Sequence, residues 1–279
     1  MSPIKTSLAA AVLALVAAPA FAQSTDARWA GFYAGGSFGV GDGSDDSDRS
    51  VTFDTNRDGR FNDTVRTAAG ANAFSPGFCG GQATSARPTT GCRDDKGGAE
   101  YGLRGGYDWQ TGGLVYGVVV EYTKNDARDR QSAFSTTPAF YTFTRDLDSM
   151  IAVRGRIGYA FGESQDFLAY FTAGGVQAKI DHSFTTSNAA NSFAANGDDK
   201  ANGYQAGIGF ERLVNDHFSV GLEYLYTEVE DDDYTVRVGR GTAPVTNPFL
   251  LVNPAGTDMR RSDEDFAYGA LKLTATYRF

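Results

Sequence analysis

From Phe266 to Phe279 the chain alternates between apolar and polar residues. Leu271, Leu273, Ala275, Tyr277 and Phe279 fall on one side, and Lys272, Thr274, Thr276 and Arg278 on the other. Successive side chains of a strand point to opposite faces, so this is a strand with one oily and one wet face. The same period appears in seven earlier segments. Trp29–Val40 sets Phe32, Ala34, Phe38 and Val40 against Tyr33, Gly35, Ser37 and Gly39. Glu100–Gln110 sets Tyr101, Leu103, Tyr107 and Trp109 against Glu100, Arg104, Asp108 and Gln110. Leu114–Tyr122 has Leu114, Tyr116, Val118, Val120 and Tyr122 on its oily side, and Leu147–Phe161 has Ile151, Val153, Ile157 and Tyr159, with Arg154 and Arg156 opposite. The oily sides of the remaining three are Leu168, Tyr170, Val176 and Ile180 in Phe167–His182, Tyr204, Ala206, Ile208 and Phe210 in Gly203–Leu213, and Val220, Leu222, Tyr224 and Tyr226 in Phe218–Glu228.

Between these segments the connections alternate in length. Thr111–Gly113, Gly162–Asp166 and Val214–His217 are short; Gly41–Ala99, Thr123–Asp146, Ser183–Asn202 and Val229–Asp265 are long. Short turns at one end, long loops at the other and an even strand number are the asymmetry of a membrane barrel with lipid outside and a polar interior. A soluble sandwich is not expected to expose an oily face on every strand. The predicted fold is therefore all-β: an eight-stranded antiparallel transmembrane up-and-down barrel. The first and fourth connections are long enough to add strands of their own.

The N-terminal segment carries one cation, Lys5, then an apolar run from Leu8 to Ala18 and a small-x-small close at Ala20-Phe21-Ala22. This is the pattern of a secretory signal peptide over residues 1–22, and the run is short for a membrane anchor. The barrel domain would then be 23–279. Removing that leader leaves 24 basic residues against 34 acidic ones. An acidic chain is a poor nucleic-acid binder, which wants a basic face. The 34 Gly, 14 Tyr and 20 Phe suit short strands and tight turns. Cys79 and Cys92 lie close together in a polar, Gly-rich stretch. In an exported protein a disulfide is the default, worth roughly 3 kcal/mol for a loop of about 15 residues; a metal pair would lack neighbouring ligands.

Several segments resemble a known family. Trp29-Ala30-Gly31-Phe32-Tyr33-Ala34-Gly35-Gly36 resembles the opening strand of small porin-family outer-membrane proteins of the OmpA/opacity-like group. Gly105–Gln110, Val153–Tyr159 and Leu222–Tyr226 resemble its second, fourth and seventh strands. The likeness covers the strands and none of the loops. It implies a Gram-negative outer membrane, monomeric, with outer-membrane lipid and lipopolysaccharide as surroundings and long loops extracellular. Tyr277 and Phe279 resemble the tail signature by which the barrel-assembly machinery recognises such chains.

Inward charges are the first candidate chemistry. If Gln110 faces Val115, then Arg104 faces Glu121 and an ion pair is expected. Arg154 and Arg156 would face Gly175 and Ala173; Glu223 would face Gly207, near Glu211; Lys272 comes from the last strand. An eight-stranded barrel is just wide enough for side chains to fill, which favours a plug over a small ion- or solute-conducting pore.

A second candidate is Asp54–Asp63. Asp54, Asn56 and Asp58, then Gly59, match the first half of a calcium loop, with the Arg60 carbonyl, Asn62 and Asp63 as further oxygens. Calcium takes six to eight hard oxygens, whereas Asp, Asn and Gly also favour plain turns. Val65 stands where a loop of that kind has a bidentate Glu, for which Asp63 could substitute to hold Ca2+, and with no flanking helices evident an EF-hand is not expected.

Lipopolysaccharide phosphates are candidate partners for Arg260 and Arg261, and bridging cations for the acidic runs Asp42–Asp48 and Glu228–Asp233. Catalysis has little support: the two histidines are His182 and His217, and the serine beside His182, Ser183, points to the opposite face. The sequence thus reads as a non-enzymatic outer-membrane barrel with a structural or surface-interaction role.

Overall fold

A computed structural model describes residues 27–41, 50–95 and 97–279; the predicted leader and the Asp42–Asp48 cluster lie outside the described residues. The wall of the barrel is formed by eight strands: β1 (Gly31–Gly41), β6 (Ala99–Thr111), β7 (Leu114–Asn125), β9 (Ala139–Phe161), β10 (Phe167–Thr186), β12 (Lys200–Leu213), β13 (Phe218–Glu230) and β16 (Asp265–Arg278). Each pairs antiparallel with its sequence neighbour in this series, and β16 closes the ring on β1. Closure leaves no unpaired edge in the wall, which a membrane interior requires because lipid cannot hydrogen-bond a free edge. The short turns fall where the sequence puts them, and Gly112 adopts the left-handed conformation (φ 59°) that the two-residue β6–β7 turn requires.

Alternation orients most of the wall correctly. Leu103, Ile157, Ile208 and Leu273 are among the exposed residues, whereas Arg104, Arg154, Glu211 and Lys272 are buried inside. The exception is β10. Leu168, Tyr170, Val176 and Ile180, expected outside, are all buried in the lumen, while Phe171 is 69% exposed. The outward set of β10 includes the small residues Ala169, Ala173 and Gly175, so its two faces differ little in hydrophobicity. The interior supplies apolar neighbours for the larger ones.

The long connections are more structured than loops. The second is a hairpin: β8 (Arg128–Ser135) pairs with an extended β9. The 23 residues of β9 are over twice the ~10 a membrane crossing needs. Beyond the wall stand β2 (Val51–Asp54), β3 (Gly77–Gly80), β4 (Gln82–Ala83), β5 (Cys92–Arg93), β11 (Ser192–Asn196), β14 (Thr235–Gly239) and β15 (Thr257–Arg261). Strands β11, β14, β15 and β2 form a separate four-stranded sheet, and β3 continues the wall beside β8. Val51, Phe53, Phe74, Tyr141, Phe143, Val236, Val238 and Met259 bury a shared apolar core here. The region is a folded platform on the long-loop end of the barrel.

Candidate functional site

The inward face of β9 reads as a section through the molecule. From the short-turn end it presents Ala160, then Arg156 and Arg154, then Ala152 and Met150, then Leu147 and Arg145, and finally Phe143, Tyr141 and Ala139. A register shift opposite Lys179/Ile180 keeps both Met150 and Leu147 inside. The polar lumen expected from sequence is therefore layered.

The short-turn end is closed by Trp29, Val115, Ala160, Leu168, Tyr170 and Leu213. Trp29 is fully buried, and its ring nitrogen donates to the Gln165 carbonyl at 2.7 Å. Above it lies the charge network. Arg156 pairs with Asp108 and with Glu211 at 2.7 Å, and Arg278 with Asp108 at 2.9 Å. Arg154 bridges Glu121 (2.7 Å) and Glu223 (3.3 Å), Arg104 reaches Glu223 at 3.2 Å, and Lys272 joins Glu121 (2.8 Å) to Glu100 (3.1 Å). Five bases and five acids thus balance, each no more than 4% exposed. Balance matters because a buried charge without a partner costs several kcal/mol, about 3–5 when one partner is removed.

All seven residues expected in this network are brought together; Glu100, Asp108 and Arg278 complete it. The sequence already assigned those three to inward faces, and only their partners were hidden. Two register details differ. Arg104 does face Glu121, but its ion pair crosses the lumen to Glu223, because Lys272 and Arg154 occupy Glu121. Arg154 and Arg156 face Gly174 and Thr172, one residue from the expected pairing, and Glu223 faces Gly209 instead of Gly207.

Inward glycines make room for aromatic rings around Arg156. A Cβ at Gly106 would lie 2.5 Å from the Tyr33 ring, and one at Gly209 would lie 2.1 Å from that of Tyr170. The two rings hold the Arg156 guanidinium between them, at 4.7 and 5.1 Å. Cation–π attraction strengthens where water is excluded, as here.

A second apolar layer, including Leu147, Met150, Val176, Ile180, Val229 and Phe266, fills the lumen above the network. Over it sits a smaller charge cluster. Arg145, fully buried, contacts Asp129, Asp231 and Asp263 at 3.2–3.4 Å, and Arg261 reaches Asp129 at 2.6 Å. His182 contacts Asp231 at 2.9 Å and stacks on Tyr234. Burial pushes the Asp231 carboxyl up, but the His182 hydrogen bond and the Arg145 charge together hold it below the usual carboxylate range. Asp231, offered by the sequence to bridging cations, is thus turned inward to Arg145 and His182. Of the arginines of β15, Arg261 is turned into this cluster, whereas Arg260 lies over the Phe61 ring and pairs with the exposed Glu264. Ser183 is exposed, whereas the neighbouring His182 side chain is turned inward onto Asp231, so the two lie on opposite faces of β10.

The expected calcium loop closes on its own backbone. The Asp54 carboxylate accepts from the amides of Arg57, Asp58 and Gly59 at 2.5–3.1 Å. Asn56 accepts from Asp58, and Asp58 from Arg60. Asp63 turns to Thr55, whose hydroxyl donates at 2.7 Å and holds the Asp63 carboxyl below its ordinary range. Asn62 is exposed. Among the described residues no group of three or more His, Cys, Asp or Glu side chains is placed to hold a metal ion, so Ca2+ gains no support here. Cys79 and Cys92 form the expected disulfide, tying β3 to β5.

The lipid-facing belt on β9 runs from Ile151 to Phe161, about the length of a membrane crossing. Immediately above it, one rung of the wall joins Lys124 to Ser149, Ser149 to Lys179 and Lys179 to Lys200. Three of the chain's six lysines thus share one rung, on the outward face. Tyr277 and Phe279 lie at the other rim, 48% and 76% exposed with their rings in contact.

A closed eight-stranded wall with an oily exterior is the architecture of an outer-membrane barrel, and the family model for the outer membrane protein beta-barrel domain matches residues 8–279. The chain belongs to this family. Among its relatives are a 22 kDa outer membrane protein of Rhizobium leguminosarum bv. viciae, 32% identical over 146 residues, and a 31 kDa outer-membrane immunogenic protein of Brucella melitensis, 27% identical over 134. These matches span 50% and 48% of this chain and 58% and 55% of those proteins, little more than half their length. The crystal structure of the outer membrane protein OprG from Pseudomonas aeruginosa aligns over 90% of this chain and 96% of its own, with a TM-score of 0.50 at 14% identity. That likeness shows a shared fold. The protein is therefore an integral outer-membrane β-barrel.

Proposed function

We propose that the protein is a sealed membrane anchor that displays a rigid platform at the cell surface. The carrying observation is the filled lumen: a charge network of five bases and five acids, each at most 4% exposed, stands between two apolar layers. A small porin, the second reading, would need a wetted path with charges facing water. In this reading the leader 1–22 is removed on export and the long-loop end faces outward. The name of the Brucella relative, an outer-membrane immunogenic protein, is in keeping with surface presentation. Planar-bilayer recording of refolded, inserted protein is expected to give no steps; stable, reproducible steps would overturn the sealed-anchor reading.

The lysine rung supports lipopolysaccharide contact at the outer rim. Lys124 and Lys179 are paired with Asp148 and Asp181 at 2.9 Å, but exposed pairs of this kind hold weakly and yield to a phosphate. Replacing Lys124, Lys179 and Lys200 by Gln is expected to reduce lipopolysaccharide retained through purification. Unchanged retention by a folded variant would remove the rung from this role.

A further inference from the structure

At the far end of the platform, segments from all four long connections meet around a pocket of about 280 Å³. Phe74 comes from the first connection, Thr137 from the β8–β9 turn, Asn188 and Asn191 from the third, and Asn247 and Phe249 from the fourth. Phe74, Tyr141 and Phe249 form its base, each ring 5.3–5.9 Å from the other two. All three are at least 96% buried, so the base is part of the platform core.

The polar wall is a chain of amides. Asn188 Nδ2 donates to the Tyr141 hydroxyl and to Asn191 Oδ1, both at 3.0 Å. Asn191 Nδ2 donates to the Gly239 carbonyl at 2.9 Å, and Asn247 Nδ2 donates to Asn191 Oδ1 at 3.2 Å. The amides are thus locked in orientation before any ligand arrives, which lowers the cost of binding. Thr136, Thr137 and Ser187, all exposed, add hydroxyl groups to the lining. No acidic or basic residue lines the pocket, although 21% of the chain is charged.

We infer that this pocket takes one ring of a neutral glycan. A sugar ring presents C–H faces and hydroxyls together, and the pocket offers small apolar side chains such as Pro138 and Pro248, the Asn247 amide and several hydroxyls, without a charge to select an ion. Its volume lies just below the usual range of small-molecule sites, in keeping with no more than a single ring. A charged ligand would find no counter-charge among the lining residues, and a wholly apolar one would make no use of the lining hydroxyls. The site lies on the displayed platform but does not depend on whether the lumen is sealed: conductance tests one and sugar binding the other.

The test is saturation-transfer NMR on the whole folded barrel in phosphocholine micelles, which carry no sugar. The probes are glucose, galactose and N-acetylglucosamine, with gluconate as the charged control. At least one neutral sugar is expected to receive saturation, with a Kd of about 1 mM, and gluconate none. Thr137→Trp, at an exposed turn, is expected to block the mouth and abolish transfer; Asn247→Ala is expected to weaken binding about tenfold. Both variants must keep the wild-type unfolding midpoint. No transfer to any neutral sugar, or equal transfer in the Thr137→Trp variant, would overturn the assignment, as would stronger transfer to gluconate.

Discussion

Arg154 is the residue on which the lumen most depends. Among the described residues it is the one base that touches both Glu121 and Glu223, whereas Arg104 has a single ion-pair contact. Removing Arg104 leaves Glu223 with Arg154, and leaves Glu121 with Arg154 and Lys272. Arg154→Ala is therefore expected to lower stability by about 3–5 kcal/mol and Arg104→Ala by less, read as the urea unfolding midpoint. Equal midpoints for the two variants would mean that the crossing ion pairs add nothing beyond opposite charges in one cavity. The identity of these inward residues was legible from alternation. Their pairing was not, because a long side chain in a narrow lumen reaches the opposite wall, and two-strand register describes only adjacent strands. The same limit explains Arg261, which the sequence offers to phosphate and the fold turns toward Asp129.

At the scale of elements, β10 is the instructive strand. An oily stripe identifies the lipid side only when the other face is clearly polar, and β10 carries Leu168, Tyr170, Val176 and Ile180 inside with Phe171 outside. The orientation is measurable. With native tryptophans Trp29 and Trp109 replaced by Phe as background, Phe171→Trp fluorescence is expected to be quenched by brominated lipid, and Tyr170→Trp fluorescence to be insensitive to it. The opposite result would restore the sequence-based orientation. Strand β8 and the outer half of β9 escaped notice for a related reason. Residues of the β9 extension alternate, but β8 opens with five polar residues, and above the membrane both strands are largely covered by protein, so there is no oily stripe against lipid.

For the whole molecule, assembly and display are separable. The last residue donates its amide to the Phe32 carbonyl, so β16 zips onto β1 at its final position. Tyr277 and Phe279 project outward from that seam. If the tail is the mark for the assembly machinery, deleting Phe279 is expected to cut the folded, membrane-inserted fraction in cells severalfold while leaving refolding into detergent near normal. A matching loss in detergent would assign Phe279 a purely structural role at the seam. Neither outcome bears on the platform, whose core of Phe53, Phe74, Tyr141 and Phe249 lies at the opposite end.

Taken by itself, the sequence determined the barrel: period-two alternation and the short-long rhythm of connections are local, and three of the strand pairs are joined by short turns. It also determined which charges enter the lumen, since alternation around a closed wall leaves them no other side. Tertiary structure alone decided how those charges pair across the lumen, that apolar layers lie above and below them, and that four connections fold into one platform. These are contacts between residues far apart in the chain, set by the diameter of the barrel and by which apolar side chains find one another beyond the membrane.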